Sequence, residues 1–417
     1  MLKINKNFFF FLIAGPFLFL SLSAFSQEKT IDDYIKIATS NSPLLKDLNN
    51  RVLLNKLDSS ILWANYRPRV GVNSTGTYAP IIRGFGYDEA LSNGKTFSAL
   101  LTVNQSLLGK NRLNNQLKGL VLLSDSINNA VKLSQQDIRK NIITYYITAY
   151  ASQRQEDFDK TVHHLLKEEE IILKKLTQKN VYKQTDYLTF LVTLQQQELQ
   201  MKQNQILAFN DKAALNYLSG IVSTDSVKLL EPKLDLKIVE KNSSLFLQQY
   251  KLDSARIENN RKVVSLNYRP QAGVYADAGY NSSFVEKAYK SFGVSAGFTL
   301  MVPIYDGHQR KLQYNKLDIQ ERTRTIYRDY FLKQYHQQIA QLRLQLQHQE
   351  SMFIKIDEQI RFTESLIKVD GKLLQTGDIS MADYILAIRN YLDSQTLLRQ
   401  TNNTRLELIN QLNFWNQ

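Results

Sequence analysis

Asn65-Tyr66-Arg67-Pro68 returns as Asn267-Tyr268-Arg269-Pro270, at an offset of 202 residues. On one side of it, Asn41-Ser42-Pro43-Leu44 returns as Asn242-Ser243-Ser244-Leu245, at an offset of 201. On the other, Asp186-Tyr187-Leu188 returns as Asp383-Tyr384-Ile385, at an offset of 197. Landmark order is kept with small insertions. Solenoid units run about 20–50 residues, so a period this long is two passes through a whole architectural half, placed around an axis.

Each pass mixes two periods. Thr30 caps a first helix, with Asp33 at its third position as a shorter partner than the usual Glu. The helix breaks at Asn41-Ser42-Pro43 and restarts at the proline, which suits a first helical position. Pro68 ends it near Tyr66 and biases Arg67 to extended geometry. The stretch at about 69–78 alternates, with Val70, Val72 and Tyr78 on one face and Asn73, Thr75 and Thr77 on the other. A loop covers 79–95. The stretch at about 96–107 sets Phe97, Ala99, Leu101 and Val103 against Ser98, Thr102 and Asn104, with Leu100 spoiling the polar face. About ten residues is the length of a tilted membrane strand.

After Gly109 the period changes. Leu113, Leu117, Leu120, Ser124, Ile127, Val131, Ser134 and Ile138 form a heptad seam containing two serines. The helical pattern persists to about Lys179, and seventy residues make a rod on the order of 100 Å. Asn180 tolerates the left-handed conformation that ends helices. A return helix runs from Thr185-Asp186 to Leu218, completing a hairpin over about 110–219, and 221–241 is a linker. The second pass repeats the order: strands at about 271–280 and 291–302, then a hairpin over about 308–415. Its long helix carries a seam of Phe353, Ile356, Ile360, Thr363 and Ile367 and turns at Thr376–Asp383. The division is 27–222 and 223–417.

Residues 1–26 read as a signal peptide. Lys3 and Lys6 are a basic start, Phe8 to Leu22 is apolar, and Ala24-Phe25-Ser26 offers cleavage before Gln27. Net charge is +13, two of it in that leader. The basic residues are scattered over helical surfaces and form no tract, which argues against nucleic acid as a partner. Cysteine is absent, which removes disulfides, thiolate metal sites, a cysteine nucleophile and a lipidated N-terminal cysteine. No mature segment has the ~20 apolar residues of a spanning helix. Such an exported chain enters lipid only as a closed β-barrel.

Signatures of chemistry are missing. His163, His164, His308, His336 and His348 show no zinc-ligand spacing, so neither metal nor cofactor is expected. There is no nucleophile elbow, P-loop or dinucleotide fingerprint, and the chain reads as no enzyme. Gly293 and Gly297 fit relief of crowding in a curved wall.

The ordered set of signal peptide, Asn-Ser-Pro-Leu, Tyr-Arg-Pro, paired strands, Pro303-Ile304-Tyr305-Asp306-Gly307, long helix and Gly377-Asp378-Ile379-Ser380-Met381-Ala382-Asp383-Tyr384, passed through twice, resembles the TolC-like outer membrane efflux protein family. The likeness covers essentially the whole mature chain. It implies a mostly α fold with β: a homotrimer whose four strands per protomer close a twelve-stranded barrel in outer-membrane lipid. That barrel would continue into a coiled-coil tunnel across the periplasm. An equatorial layer would come from 221–241 and the C-terminal residues, and loops 79–95 and 281–290 would face the exterior. Tyr78, Phe97, Tyr280, Phe292 and Phe298 would be girdle aromatics.

The resemblance places a strand-to-helix swivel at Pro303, Asp306 and Gly307, with Gly109 as the first-pass equivalent lacking the proline and aspartate. Helix pairing and the resemblance together place contact with a periplasmic adaptor at Asn180, Lys183 and Asp186 in one tip and Gly377, Ser380 and Asp383 in the other. Asp186 and Asp383 have two compatible readings: helix caps, or threefold rings of carboxylates at the tunnel's inner end. The implied function is a passive outer-membrane exit duct for an efflux or secretion system, powered by an inner-membrane transporter through the adaptor. A soluble periplasmic coiled-coil scaffold is the alternative; a secreted enzyme is a weaker third.

Overall fold

The computed structural model describes residues 28–88, 94–107, 109–223, 227–237, 244–283 and 289–416. The expected signal peptide, Asn242 and Ser243 lie outside the described residues. The order is α1 (Ile31–Asn41), α2 (Pro43–Asn65), β1 (Arg69–Tyr78), β2 (Lys95–Leu107), α3 (Lys110–Gln178) and α4 (Gln184–Ser219). Then follow α5 (Leu245–Asn267), β3 (Gln271–Ser282), β4 (Phe292–Met301), α6 (Gln309–Thr376) and α7 (Met381–Trp415). β2 starts one residue earlier than its alternation suggests, because Lys95 pairs with Tyr78, and β3 ends two later, because Ser282 pairs with Phe97. β4 is a residue shorter at each end than 291–302.

Local chemistry sets these limits. The Thr30 hydroxyl accepts from the Asp33 amide at 3.3 Å, and the Asp33 carboxylate accepts from the Thr30 amide at 2.9 Å, so Asp closes the box. Pro43 opens α2 behind the Ser42 cap. The four strands form one antiparallel sheet in chain order, so β1 and β4 are its edges. The register Val72↔Leu101, Leu101↔Ala278 and Ala278↔Val294 lines apolar residues of all four strands on one face. The other face is polar, with Asp277 opposite both Thr102 and Ser295. Gly297 makes room for a ring there: a Cβ would lie 2.5 Å from the Tyr275 ring. Gly293 has open space, so crowding does not explain it.

Below the sheet, α3 lies between α2 and α5. The upper heptad seam is therefore only half-covered: Leu113 is buried, but Leu117, Leu120, Ser124, Ile127, Val131, Ser134 and Ile138 are half-buried. A helix flanked on both sides in a one-layer wall has two shallow contact rows in place of one deep seam. Two amides bind that wall. Asn55 donates to the Leu120 carbonyl and to Ser124, each at 2.6 Å, and Asn259 donates to the Asn115 carbonyl at 3.0 Å. In α6, Ile356, Ile360 and Thr363 are buried, but Phe353 is exposed and Ile367 half-buried; the buried row continues through Asp370 and Leu374.

Midway along the rods, 227–237 is strapped across the helices. The Gln153 side chain bonds the Leu229 backbone in both directions, at 3.0 and 3.1 Å. Asn413 does the same between Asp235 and Lys237, at 2.8 and 2.7 Å. The Tyr146 hydroxyl lies 2.7 Å from the Leu230 carbonyl and 2.9 Å from that of Lys29. Tyr34, Ala38, Ile142, Tyr146, Leu215 and Leu229 form the core beneath this belt. No described helix is long and apolar enough to cross a membrane.

Candidate functional site

The two helical turns at the far end of the rods lie against each other. Asn180 takes the left-handed conformation at φ 61°, and the Val181 amide returns to the Leu176 carbonyl at 3.0 Å. Lys183 caps α4 through its backbone, its amide donating to the Asp186 carboxylate at 3.1 Å. In the second turn Gly377 is left-handed at φ 81°, and a Cβ there would lie 2.9 Å from Cγ1 of Val181. Ser380 caps α7: its hydroxyl accepts from the Asp383 amide at 3.2 Å and donates to the Asp383 carboxylate at 2.6 Å. Both aspartates are thus engaged as caps, where the positive end of the helix favours a carboxylate. Asn180, Lys183, Gly377, Ser380 and Asp383 are exposed; Asp186 is half-buried.

Residues that sequence reasoning missed join the two tips. The Tyr182 hydroxyl sits 3.0 Å from the carbonyls of both Leu374 and Ile379, one proton serving the pair. Around it Leu166, Leu173, Phe190, Leu374, Met381, Tyr384 and Ile388 form one core shared by both hairpins. The Tyr187 hydroxyl donates to Glu170 at 3.3 Å, and Tyr384 hydrogen-bonds Glu169. Burial raises the Glu169 carboxyl above the ordinary range against that hydrogen bond, and it leaves Oε2 buried without a partner. The Tyr384 hydroxyl is raised by burial first and by Glu169 second. Further up, Arg399 of α7 packs over the Phe158 ring at 3.8 Å and donates to Gln155 at 2.9 Å; burial pulls it down to about 10. Gln155 and Asn204 both donate to the buried Asp159. The one sequence signal for these links was the repeated Asp-Tyr pair.

At the other end, the expected swivel residues sit between β4 and α6. Asp306 accepts from the Arg310 amide at 2.7 Å and holds the start of α6. That bond, then the Tyr268 hydroxyl, keeps its carboxyl below the ordinary range. Gly307 and His308 are both left-handed, at φ 61° and 65°. Pro303 lies half-buried in the link before them. Gly109 caps α3 with no side chain, and there Tyr66 donates to Gln116 of α3 at 2.7 Å. The tyrosine of each Tyr-Arg-Pro thus bonds at or near the start of the next long helix. Among the described residues no group of three or more His, Asp or Glu could hold a metal.

This protomer has the fold of the TolC-like outer-membrane channels. Among solved structures it is similar to CusC, known from work on folding and transmembrane channel formation, with a TM-score of 0.76, 12% identity and coverage of 93% of this chain and 92% of that one. It is also similar to the outer membrane protein VceC of Vibrio cholerae, at TM-score 0.73, 14% identity and 92% and 96% coverage. The MtrE outer membrane channel of Neisseria gonorrhoeae, in its open state, matches at TM-score 0.70, 12% identity and 93% and 88% coverage. No family model and no curated protein matches the sequence.

Proposed function

We propose that three copies of this chain form a passive exit duct in the outer membrane, continuous with a helical tunnel across the periplasm. The observation that carries this reading is the sheet. It has two free edges and an apolar face left open, with Val72 73%, Val294 80% and Phe298 80% exposed. Free edges invite further pairing, and lipid tolerates a sheet only when it is closed. Joining β4 of each copy to β1 of the next gives twelve strands with no edge. The same exposed face argues against a soluble scaffold. The halves 27–222 and 223–417 would each supply two strands and one hairpin.

The duct carries out no chemistry of its own; an inner-membrane transporter supplies the energy through a periplasmic adaptor. Asn180, Lys183, Asp186, Gly377, Ser380 and Asp383 are the adaptor contact, supported by their place at the paired turns, where all but the half-buried Asp186 are exposed. The duct would serve an efflux or a secretion system. Because the native chain has no cysteine, the test is clean. Pairs of single cysteines, one on β1 and one on β4, are scanned for oxidative crosslinking in outer-membrane fractions. A ladder ending at trimer is expected from pairs in register. Monomer only, recovered in the soluble fraction, overturns the reading.

A further inference from the structure

All four strand-to-helix junctions lie at one end of the sheet, because Arg69 pairs with Asn104, Leu107 with Ala272 and Gln271 with Met301. Those junctions are unusually basic. Arg67, Arg69, Lys110, Arg112, Arg269, Arg310 and Lys311 fall within 66–69, 109–112, 268–271 and 302–311, and the same windows hold one carboxylate, Asp306. That carboxylate is occupied by the Arg310 amide and by Tyr268.

What sets these cations apart is their number against a single carboxylate. Along the rods several Lys and Arg pair with acids three or four residues away, as Lys160 does with Glu156 and Arg361 with Asp357. Among the described residues, none of the junction seven forms an ion pair. Arg69 donates to the neutral Asn65 amide oxygen, and Arg310 lies over the rings of Tyr268 and Tyr314 at 5.7 and 5.9 Å. Arg112 leaves Nε and Nη1 buried with no acceptor, and the other six are exposed. Seven cations against one spent carboxylate concentrate positive charge at one level of the wall, which favours an outside anion.

We propose that this rim binds the phosphates of anionic glycerophospholipids in the leaflet facing the helices. The inference rests on the barrel reading above, which places the sheet in lipid and the junctions at its surface. Two features favour lipid over other anions. The cations are spread over four junctions and, in a closed trimer, around a full circle, which suits many separate headgroups. They also start where the apolar strand face ends, so a bound phosphate would keep its acyl chains against that face. Guanidinium groups grip phosphate through paired N–H donors, and basic residues at a membrane surface favour anionic lipid.

The test is native mass spectrometry of the full-length protein, taken from non-ionic detergent containing equal amounts of phosphatidylglycerol and phosphatidylcholine. The wild type should retain phosphatidylglycerol in excess by about threefold or more. Arg67→Gln/Arg112→Gln/Arg269→Gln should bring the ratio close to parity, and Lys355→Gln/Arg361→Gln, on α6 away from the rim, should leave it unchanged. If the triple variant does not assemble, the exposed pair Lys110→Gln/Lys311→Gln should lower the ratio. Parity in the wild type, or an excess surviving in the assembled rim variants, overturns the proposal alone. A protein that retains neither lipid and needs no detergent overturns the barrel reading, and this proposal with it.

Discussion

Tyr182, in the first helical turn, holds Ile379 in the second, its hydroxyl 3.0 Å from that carbonyl and equally far from the carbonyl of Leu374. One residue therefore fixes the geometry of a loop nearly two hundred positions away. Replacing it with Phe keeps the ring in the shared core and removes only the proton. The expected cost is about 1–2 kcal/mol of local stability, from carbonyls left without a donor. Hydrogen exchange should read it as faster exchange of the amides around 376–383, with those around Tyr146 unaffected. Unchanged exchange at the second turn would show that packing alone sets it.

Gly377 is under two demands, a φ of 81° and the approach of Val181. Gly377→Ala should cost about 1–2 kcal/mol, from left-handed strain and the contact together. Val181→Ala should return the contact part and leave the strain, so the double variant should be less destabilised than the sum of the singles. A thermal-unfolding cycle on the four proteins reads this coupling, and strict additivity would refute it.

Burial raises the Glu169 carboxyl, so its protonated form is the one the fold prefers. Its contribution is fully present below the ordinary glutamate value of about 4.3 and is lost as pH rises through the raised value. Glu169→Gln keeps an acceptor for Tyr384 and removes that titration. At pH 8 the variant should be the more stable by about 1 kcal/mol, and at pH 4 the two should converge. Unfolding curves that stay parallel across this range would contradict the assignment.

Asp306 carries the opposite sign. Its carboxyl is lowered by the Arg310 amide, so its stabilising effect is present above the ordinary aspartate value of about 3.9 and disappears as pH falls through the lowered value. Asp306→Asn should speed exchange of the first amides of α6 at neutral pH and leave the first amides of α3, which has Gly109 in that place, unchanged. Equal effects on both helices would mean that the two junctions are coupled.

Strand faces and long helices were legible because their periods are local: Val70 and Val72 alternate with Asn73 and Thr75 whatever lies nearby. The capping place of Asp383 was legible for the same reason, though its partner Ser380 was not read as a cap. Tyr182 and Glu169 were not, since their partners depend on how one hairpin lies against the other. Phe353 continues a heptad yet is exposed, because the period says which face is apolar and not where a neighbour stops. The half-covered upper seam arises likewise: the heptad in α3 suggests one partner, and the fold sets α2 and α5 on either side. Arg112 gave no signal, because an unpaired cation and a paired one look alike in a sequence.

The tyrosines that follow the two capping aspartates have parted ways. Tyr187 finds Glu170 within its own hairpin, whereas at the matching place in the other pass stands Ile367, and Tyr384 takes Glu169 from the first hairpin instead. Since duplication the two halves have become unequal: one is self-sufficient at this point and the other is its dependant. A chain rebuilt from two second halves would lack both glutamates, and its tyrosines at this place would lose these acceptors.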